Sequence, residues 1–303
     1  MAGPSFRAAP VRVRVPATSA NLGPGFDAVG LALGLYDDVV VRIADSGLHV
    51  DVAGEGADDV HRDKRHLVVR AVRAAFDALG GQPRGLEVVC ANRIPHGRGL
   101  GSSAAAIVAG ITAARHLVLG GMTDDDALSL AAAIEGHPDN VAAALAGGLT
   151  IAWSGEHGVR STKVELHPGI SAVALVPNTR SSTAKARKLL PVTVPHADAA
   201  WSAGRAALLV EALSRNPDLL LDATDDVLHQ PYRAEAMPRT SALLKSLRAK
   251  GIAAAVSGAG PSVLALAGSP AALDAVVAAA PRGWTPYRLD LDRHGAHAVP
   301  VGG

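Results

Sequence analysis

Between Leu86 and Leu119 the chain carries a pattern that leaves it few ways to fold. An apolar run, Leu86-Glu87-Val88-Val89-Cys90, passes into Ile94-Pro95-His96-Gly97-Arg98-Gly99-Leu100-Gly101-Ser102-Ser103 and then into an alanine-rich stretch. Three alternate glycines stop either regular element from continuing, so the segment reads as strand 86–93, a glycine loop, and a helix over 103–119. Such a loop can turn its N–H groups inward, and the helix behind it adds unpaired N–H groups and a partial positive charge. Together they make a cradle fitted to a polyphosphate. A plain strand-to-helix turn is the bland alternative, though one glycine would suffice for that. The cradle comprises Pro95, His96, Gly97, Arg98, Gly99, Leu100, Gly101, Ser102, Ser103, Ala104 and Ala105.

Other glycine-loop chemistries fail on particular residues. A P-loop needs Gly-Lys-Ser/Thr, and this loop has no lysine. A dinucleotide fingerprint starting at Gly97 and Gly99 would need glycine where Ser102 stands. The hydrolase elbow Gly-x-Ser-x-Gly lacks its second glycine, because Ala105 closes Gly101-Ser102-Ser103-Ala104-Ala105.

Around this loop the chain alternates strand and helix patterns. Val11 to Val15 has period two, and the turn-rich Pro16 to Asp27 reads as a shaped loop. Strand follows near 38–43, then a helix over 66–79. Thr123 before three aspartates marks a helix start, which runs to Glu135 and stops at Gly136. Val141 to Ala146 continues helically, and Leu149 to Trp153 is a strand. The second half reads as strand 171–176, helices 182–190, 197–214 and 238–250, strands 252–256 and 262–267, helix 270–279, and a strand near 285–290. At 303 residues two domains are expected, 1–168 and 169–303. With three each of Trp, Tyr and Phe, the core must be Ala, Val and Leu. A second glycine turn, Ser257-Gly258-Ala259-Gly260-Pro261-Ser262, joins two apolar strands, either as a tight hairpin or as a further wall of one site.

Charge and composition exclude several classes. The 29 basic and 28 acidic residues nearly cancel, so no basic stripe points to nucleic acid. Cys90 is the single cysteine and reads as a buried, inert thiol. Met1 to Pro10 has no apolar core of a signal peptide, and Ala104 to Val118 is broken by Arg115 and His116. No membrane is expected, the location is cytoplasmic by default, and a homodimer is left open. His49, His61, His157, His196 and His294 suggest no chemistry.

Glu135 is placed against its own helix. It ends the helix, where the dipole disfavours an acid by about 0.3–1 kcal/mol. A nearby cation would remove that penalty. Mg²⁺ takes one or two carboxylates plus phosphate oxygens and water, and the Ser103 hydroxyl offers an extra ligand. A solvated glutamate at a frayed end is the competing reading. The polar context Glu135-Gly136-His137-Pro138-Asp139-Asn140 favours the metal.

Three motifs now stand in order: Pro16-Ala17-Thr18-Ser19-Ala20-Asn21-Leu22-Gly23-Pro24-Gly25-Phe26-Asp27, the glycine loop ending Gly-Leu-Gly-Ser-Ser-Ala-Ala, and Ser257-Gly258-Ala259-Gly260-Pro261. This arrangement resembles the GHMP kinases over essentially the whole chain. Within them, the first motif and Glu135 to Asn140 are similar to the homoserine kinases. The resemblance implies an α+β, two-domain GHMP kinase fold, with an N-terminal mixed-sheet α/β domain and a C-terminal ferredoxin-like domain. It implies ATP over Pro95 to Ala105, Mg²⁺ on Ser103 and Glu135, and phosphorylation of L-homoserine in threonine biosynthesis. Thr18 stands about where mevalonate kinases carry a lysine, and Ala104 departs from the aspartate of the methylerythritol kinases.

A zwitterionic alcohol needs donors for its carboxylate and acceptors for its ammonium. Thr183 and Arg187 share a face of the expected helix 182–190. With Lys185 and Lys188 beside it, Arg187 would otherwise read as solvated; the resemblance assigns it, and Arg233 in His229-Gln230-Pro231-Tyr232-Arg233, to the carboxylate. Asn21, Asp27, His137 and Asn140 are candidates for the ammonium and hydroxyl, with His137 also readable as structural. Asn140 is expected to aim the alcohol without any base, since phosphoryl transfer needs little deprotonation before bond cleavage. Asp27 and Asp139 are the alternative bases. A kinase for mevalonate or an isoprenoid precursor, and a nucleotide-binding regulator without chemistry, are the other functional readings.

Overall fold

The computed structural model describes residues 4–119, 121–156 and 158–300. His157 and the first three residues of the Met1–Pro10 stretch lie outside them. The Val/Arg alternation does begin a strand, but that strand does not stop at Pro16. β1 spans Val11–Asn21 and β2 spans Gly25–Ala44. They pair antiparallel from Val11 opposite Val41 to Ala20 opposite Gly30, and the register shifts at Pro16/Ala17 and again at Ala20/Asn21. The expected open loop over Pro16 to Asp27 is therefore mostly a bulged hairpin. A register shift is a place where a sheet tolerates proline, because the missing N–H is not needed there. The tip departs from strand geometry, with Asn21, Leu22 and Gly23 at φ of 70°, 49° and 89°, and so does Asp27 within β2, at 55°.

After the hairpin come β3 (Gly47–Gly54), α1 (Leu67–Ala78), β4 (Gly85–Asn92), α2 (Ser102–Leu117), α3 (Asp124–Glu135), α4 (Asp139–Ala146), β5 (Leu149–Gly155) and β6 (Gly158–Val164). The helices expected at 66–79, 103–119 and 123–135 stand within two residues of those bounds. α1 buries Val68, Val69, Val72 and Phe76 on one stripe, whereas α2 is apolar nearly all round and lies between α1 and β1. Its buried alanines let those neighbours approach closely. Few aromatics are needed in such a core.

The second half holds β7 (Ser171–Pro177), α5 (Thr183–Arg187), α6 (His196–Ser214), α7 (Leu220–Ala223), α8 (Gln230–Arg233), α9 (Pro238–Ala249), β8 (Ala253–Val256), β9 (Val263–Ala267), α10 (Asp274–Ala278), β10 (Trp284–Leu289) and β11 (His297–Val299). The expected helix 182–190 is shortened to α5, since Leu190 precedes Pro191 and the helical region is disfavoured there.

Two sheets result. One runs β11-β1-β2-β4-β3, with β5 on β2 and β6 on β5; only β3 and β4 pair in parallel, so the sheet is mixed. The other runs β10-β7-β9-β8, antiparallel throughout, and with its helices has the ferredoxin-like order. β11, the last strand among the described residues, rejoins β1. Among the described residues no helix is long and apolar enough to cross a membrane.

Candidate active site

The three motifs are knitted edge to edge. Thr18 N–H donates to Leu100 O at 3.0 Å, and Gly258 N–H donates to Ala20 O at 3.1 Å. The Ser257 hydroxyl lies 2.6 Å from Gly99 O and 2.8 Å from Ser19 Oγ. These contacts explain the glycines better than turning alone. A Cβ on Gly99 would sit 2.3 Å from Ser257 O, and one on Gly101 would sit 1.9 Å from Thr18 Oγ1. Gly101 also caps α2 at φ 70°, in the left-handed region.

The seam leaves a cleft with about 190 Å³ of free space. Of the residues singled out in the sequence, Asn21, Asp27, Gly97, Gly99, Gly101, Ser102, Ser103, Glu135, His137, Asn140, Thr183, Arg187 and Arg233 line it. The glycine turn supplies Gly258, Ala259 and Gly260, so it is a wall of the same site. Pro95, Leu100 and Ala104 are buried beneath the loop. Arg98 turns away, donating to Pro177 O at 2.9 Å and approaching Glu55 at 3.7 Å. His96 and Ala105 face a second pocket of about 360 Å³.

That second pocket opens from Ser102 and Ser103, which it shares with the cleft. Val15, Val39, Val60, Leu67, Val68 and Cys90 make it largely apolar. Burial lowers the pKa of both His66 and His96 and pushes the Cys90 thiol up to about 12. The His66 Nδ1 atom is buried with no partner. One wall is Asp59 to Val68, a stretch of mixed charge without glycine, whose sequence carries no mark of a pocket.

Glu135 is the last residue of α3, and Gly136 follows at φ 92°. The Ser103 hydroxyl donates to its Oε1. Burial raises the Glu135 pKa, against the Ser103 hydrogen bond and the nearby His137, which lower it. Drawn inward at this helix end, Glu135 has the Ser103 hydroxyl and, at 3.8 Å, His137 Nε2 as its partners. No cluster of three or more His, Cys, Asp or Glu metal ligands exists among the described residues.

Next to it, Asp139 is 2% exposed and already used. Its Oδ1 accepts from Asn140 N–H at 2.7 Å and contacts His137 Nδ1 at 2.6 Å. Burial pulls the His137 pKa down, but Asp139 and Glu135 outweigh it and hold it above its ordinary value. Thr18 donates to Asn140 Oδ1 at 2.8 Å, fixing the amide.

Opposite stand the charged groups. Arg187 pairs with both oxygens of Asp27, at 2.8 and 2.6 Å. Arg233 is 1% exposed and forms no salt bridge with a carboxylate among the described residues. It donates to Ala186 O at 3.3 Å and to His229 Nδ1 at 3.1 Å. His229 can accept there because its Nε2–H donates to Gly23 O at 2.9 Å. Burial lowers the pKa of both His229 and Arg233. Phe26 lies beneath both guanidinium groups, 5.7 and 5.5 Å from its centroid, and stacks on His229. Phe26 and His229 stood inside quoted motifs without a role, since only folding shows what they support.

Known proteins match this architecture. The family described as GHMP kinases N terminal domain matches residues 66–148, and GHMP kinases C terminal matches residues 200–285. A homoserine kinase of Streptomyces avermitilis is 62% identical over 99% of this chain and 99% of its own length. One from Clavibacter michiganensis is 53% identical, covering 94% of this chain and 93% of its own. The crystal structure of homoserine kinase from Cytophaga hutchinsonii superposes with a TM-score of 0.86 at 26% identity, over 99% of this chain and 100% of that one. A mevalonate kinase of L. major, at 19% identity and a TM-score of 0.66 over 97% of each chain, shares the fold. With both halves matched and relatives aligned end to end, the chain belongs to the GHMP kinase family.

Proposed function

We infer that this chain transfers the terminal phosphoryl group of ATP to the side-chain hydroxyl of L-homoserine, giving O-phospho-L-homoserine for threonine biosynthesis. The observation that carries the substrate is Arg233, a buried guanidinium without a carboxylate partner, facing a cleft that also holds Arg187 and Asp27. A buried cation of this kind needs an anion to complete it. Near-full-length homoserine kinase relatives point to the same ligand.

The triphosphate fits the glycine loop and the α2 N-terminus, where backbone N–H groups and the helix dipole favour anions. The apolar pocket beyond Ser102 and Ser103 suits the base, with His66 Nδ1 as a polar group for it to meet. Ser103 and Glu135 fit Mg²⁺, because that ion needs only one or two protein ligands when phosphate and water fill the rest. Bound there, it would neutralise charge on the transferring group. In the substrate half, Arg187, Arg233 and Thr183 take the carboxylate, while Asn21, Asp27 and His137 surround the ammonium. Asn140 aims the hydroxyl: Thr18 occupies its carbonyl, leaving the amide N–H₂ and one oxygen lone pair for the alcohol. No free carboxylate is left to act as base, since Asp139 is held by His137 and Asn140, and Asp27 is taken by the substrate ammonium.

A phosphorylated isoprenoid precursor would call for more cations than the two arginines. A regulator without chemistry would have no use for the Ser103–Glu135 pair. The test is ADP release with L-homoserine, D-homoserine, L-serine and mevalonate. Preferred turnover of L-homoserine is expected; preferred turnover of mevalonate would overturn the assignment.

A further inference from the structure

The three helices that meet at the cleft also meet, at their other ends, around a groove with about 940 Å³ of free space. The cleft takes Ser102 and Ser103 from the start of α2, Glu135 from the end of α3, and Asp139 and Asn140 from the start of α4. The groove takes Thr112 and His116 from late α2, Asp124 and Leu128 from early α3, and Leu145 from the end of α4. β6 and the 294–298 stretch close it. With a rise of 1.5 Å per residue along α2, the two sites stand about 15–20 Å apart.

The polar groups of the groove are unmatched in one direction. Thr112 is 3% exposed, and its hydroxyl is buried with no hydrogen-bond partner. Lys163 Nζ donates to Ala146 O at 3.0 Å and to Arg293 O at 2.5 Å, which leaves its third N–H free. Arg7 makes no ion pair among the described residues, although it lines the same groove. The two acids there are already matched, Asp124 by Arg115 at 2.8 Å and Asp125 by Arg160 at 3.1 Å. Two cations, Arg7 and Lys163, therefore stand uncompensated. His116 and His297 each hold Nδ1 2.8 Å from a carbonyl, Thr112 O and Gly295 O. The carbonyls fix the proton on Nδ1 and leave Nε2 to a ligand. These groups call for negative charge, and the buried hydroxyl calls for an acceptor.

We propose that this groove is an effector site for a small organic dianion, a dicarboxylate or a phosphate monoester, coupled through α2, α3 and α4 to the Ser103–Glu135 pair. Two negative charges answer Arg7 and Lys163, and the Thr112 hydroxyl donates to one of the ligand's oxygens. The free space is that of a metabolite site. A ligand held against Thr112, Leu128 and Leu145 fixes the spacing of the three helices at that end. α2 packs on both α3 and α4, through alanines that leave little slack. The spacing at the other end, between the Ser103 hydroxyl and Glu135, follows. Phosphoryl transfer depends on exact placement of charge there, so the Mg²⁺ requirement reports the coupling. That part rests on the metal reading of Ser103 and Glu135; the binding site does not.

The test is calorimetric titration of succinate, glycerol 3-phosphate and the neutral succinamide into the full chain. The cleft is first filled with a non-hydrolysable ATP analogue, Mg²⁺ and L-homoserine, so that only the groove is open. Succinate or glycerol 3-phosphate should bind, and which of them binds tells a dicarboxylate site from a phosphate monoester site; succinamide should not bind. Thr112→Val and Arg7→Gln should each weaken that binding about tenfold, ~1.4 kcal/mol. Thr112→Val removes a hydroxyl that the protein itself does not use, so it should melt no lower than wild type. In turnover assays the bound dianion should shift the Mg²⁺ concentration for half-maximal rate in wild type and not in Thr112→Val. Failure of both dianions to bind at millimolar concentration, or equal binding by wild type and both variants, would overturn the site. Binding with an unchanged Mg²⁺ requirement would overturn the coupling. The Mg²⁺ response of Glu135→Ala, measured alongside, separates that outcome from failure of the metal reading.

Discussion

Individual side chains in the cleft are set by what surrounds them more than by their type. Glu135 was legible in the sequence because helix arithmetic placed an acid at a negative helix end. Its inward position and its contact with Ser103 make that placement specific. Glu135→Ala and Ser103→Ala should each raise the Mg²⁺ concentration needed for half-maximal rate and lower kcat, the glutamate variant more. Wild-type kcat for Glu135→Ala at low Mg²⁺ would remove the metal role. Arg233→Ala should cost ~1.5–3 kcal/mol in kcat/KM for L-homoserine, with ATP affinity retained; equal loss of both would make Arg233 a part of the fold or of the nucleotide site. Asp37 shows what sequence cannot reveal. Burial raises its pKa to about 6, although Arg93 and Ile94 N–H groups at 2.6 and 2.9 Å support the charged form. A carboxyl that holds its proton more tightly when folded loses stability as pH rises from its unfolded value, 3.8, through about 6. Chemical denaturation of nucleotide-free protein should therefore show wild type losing up to ~3 kcal/mol relative to Asp37→Asn over that interval. A difference independent of pH would contradict it.

Among the elements, those with strong periodicity were readable, and the misread ones have identifiable causes. α1, α2 and α3 announce themselves by apolar spacing, glycine stops and a capping box in which Thr123 and Asp126 bond reciprocally. The Pro16 to Asp27 segment looked like a loop because proline and glycine usually interrupt strands. It pairs instead because register shifts absorb the awkward residues and buried partners take up Thr18 and Ser19. β3, β6 and β11 went unseen: β3 alternates Leu48, Val50 and Val52 with His49 and Asp51 over only a short run, and β6 and β11 bury no residue fully. At the glycine loop, close approach rather than turning is the constraint. Gly99→Ala and Gly101→Ala should lower the melting temperature and weaken ATP binding. The left-handed conformation alone costs ~1–2 kcal/mol for alanine, and each Cβ also meets an atom of a neighbouring segment. Near-wild-type melting and nucleotide affinity in both variants would show that the loop relaxes easily.

On the scale of the whole molecule, the site exists only where the two sheets meet. The hairpin tip and glycine loop come from the first sheet, the 257–260 turn joins β8 to β9 of the second, and α5 and α8 supply the arginines. Each motif was visible in the sequence, and the family resemblance ordered them into one site. Their joining at backbone distance, the apolar pocket beside Ser102, and the Asp27–Arg187 pair arise from contacts between residues far apart in the sequence, which no local pattern encodes. On this reading the seam moves a phosphoryl group from ATP to the hydroxyl of L-homoserine. The most direct measurement follows γ-³²P-labelled ATP, with Mg²⁺ and L-homoserine, to its products. The label should appear in O-phospho-L-homoserine in step with ADP. ADP accompanied only by labelled inorganic phosphate, with no labelled phosphoamino acid, would contradict the claim.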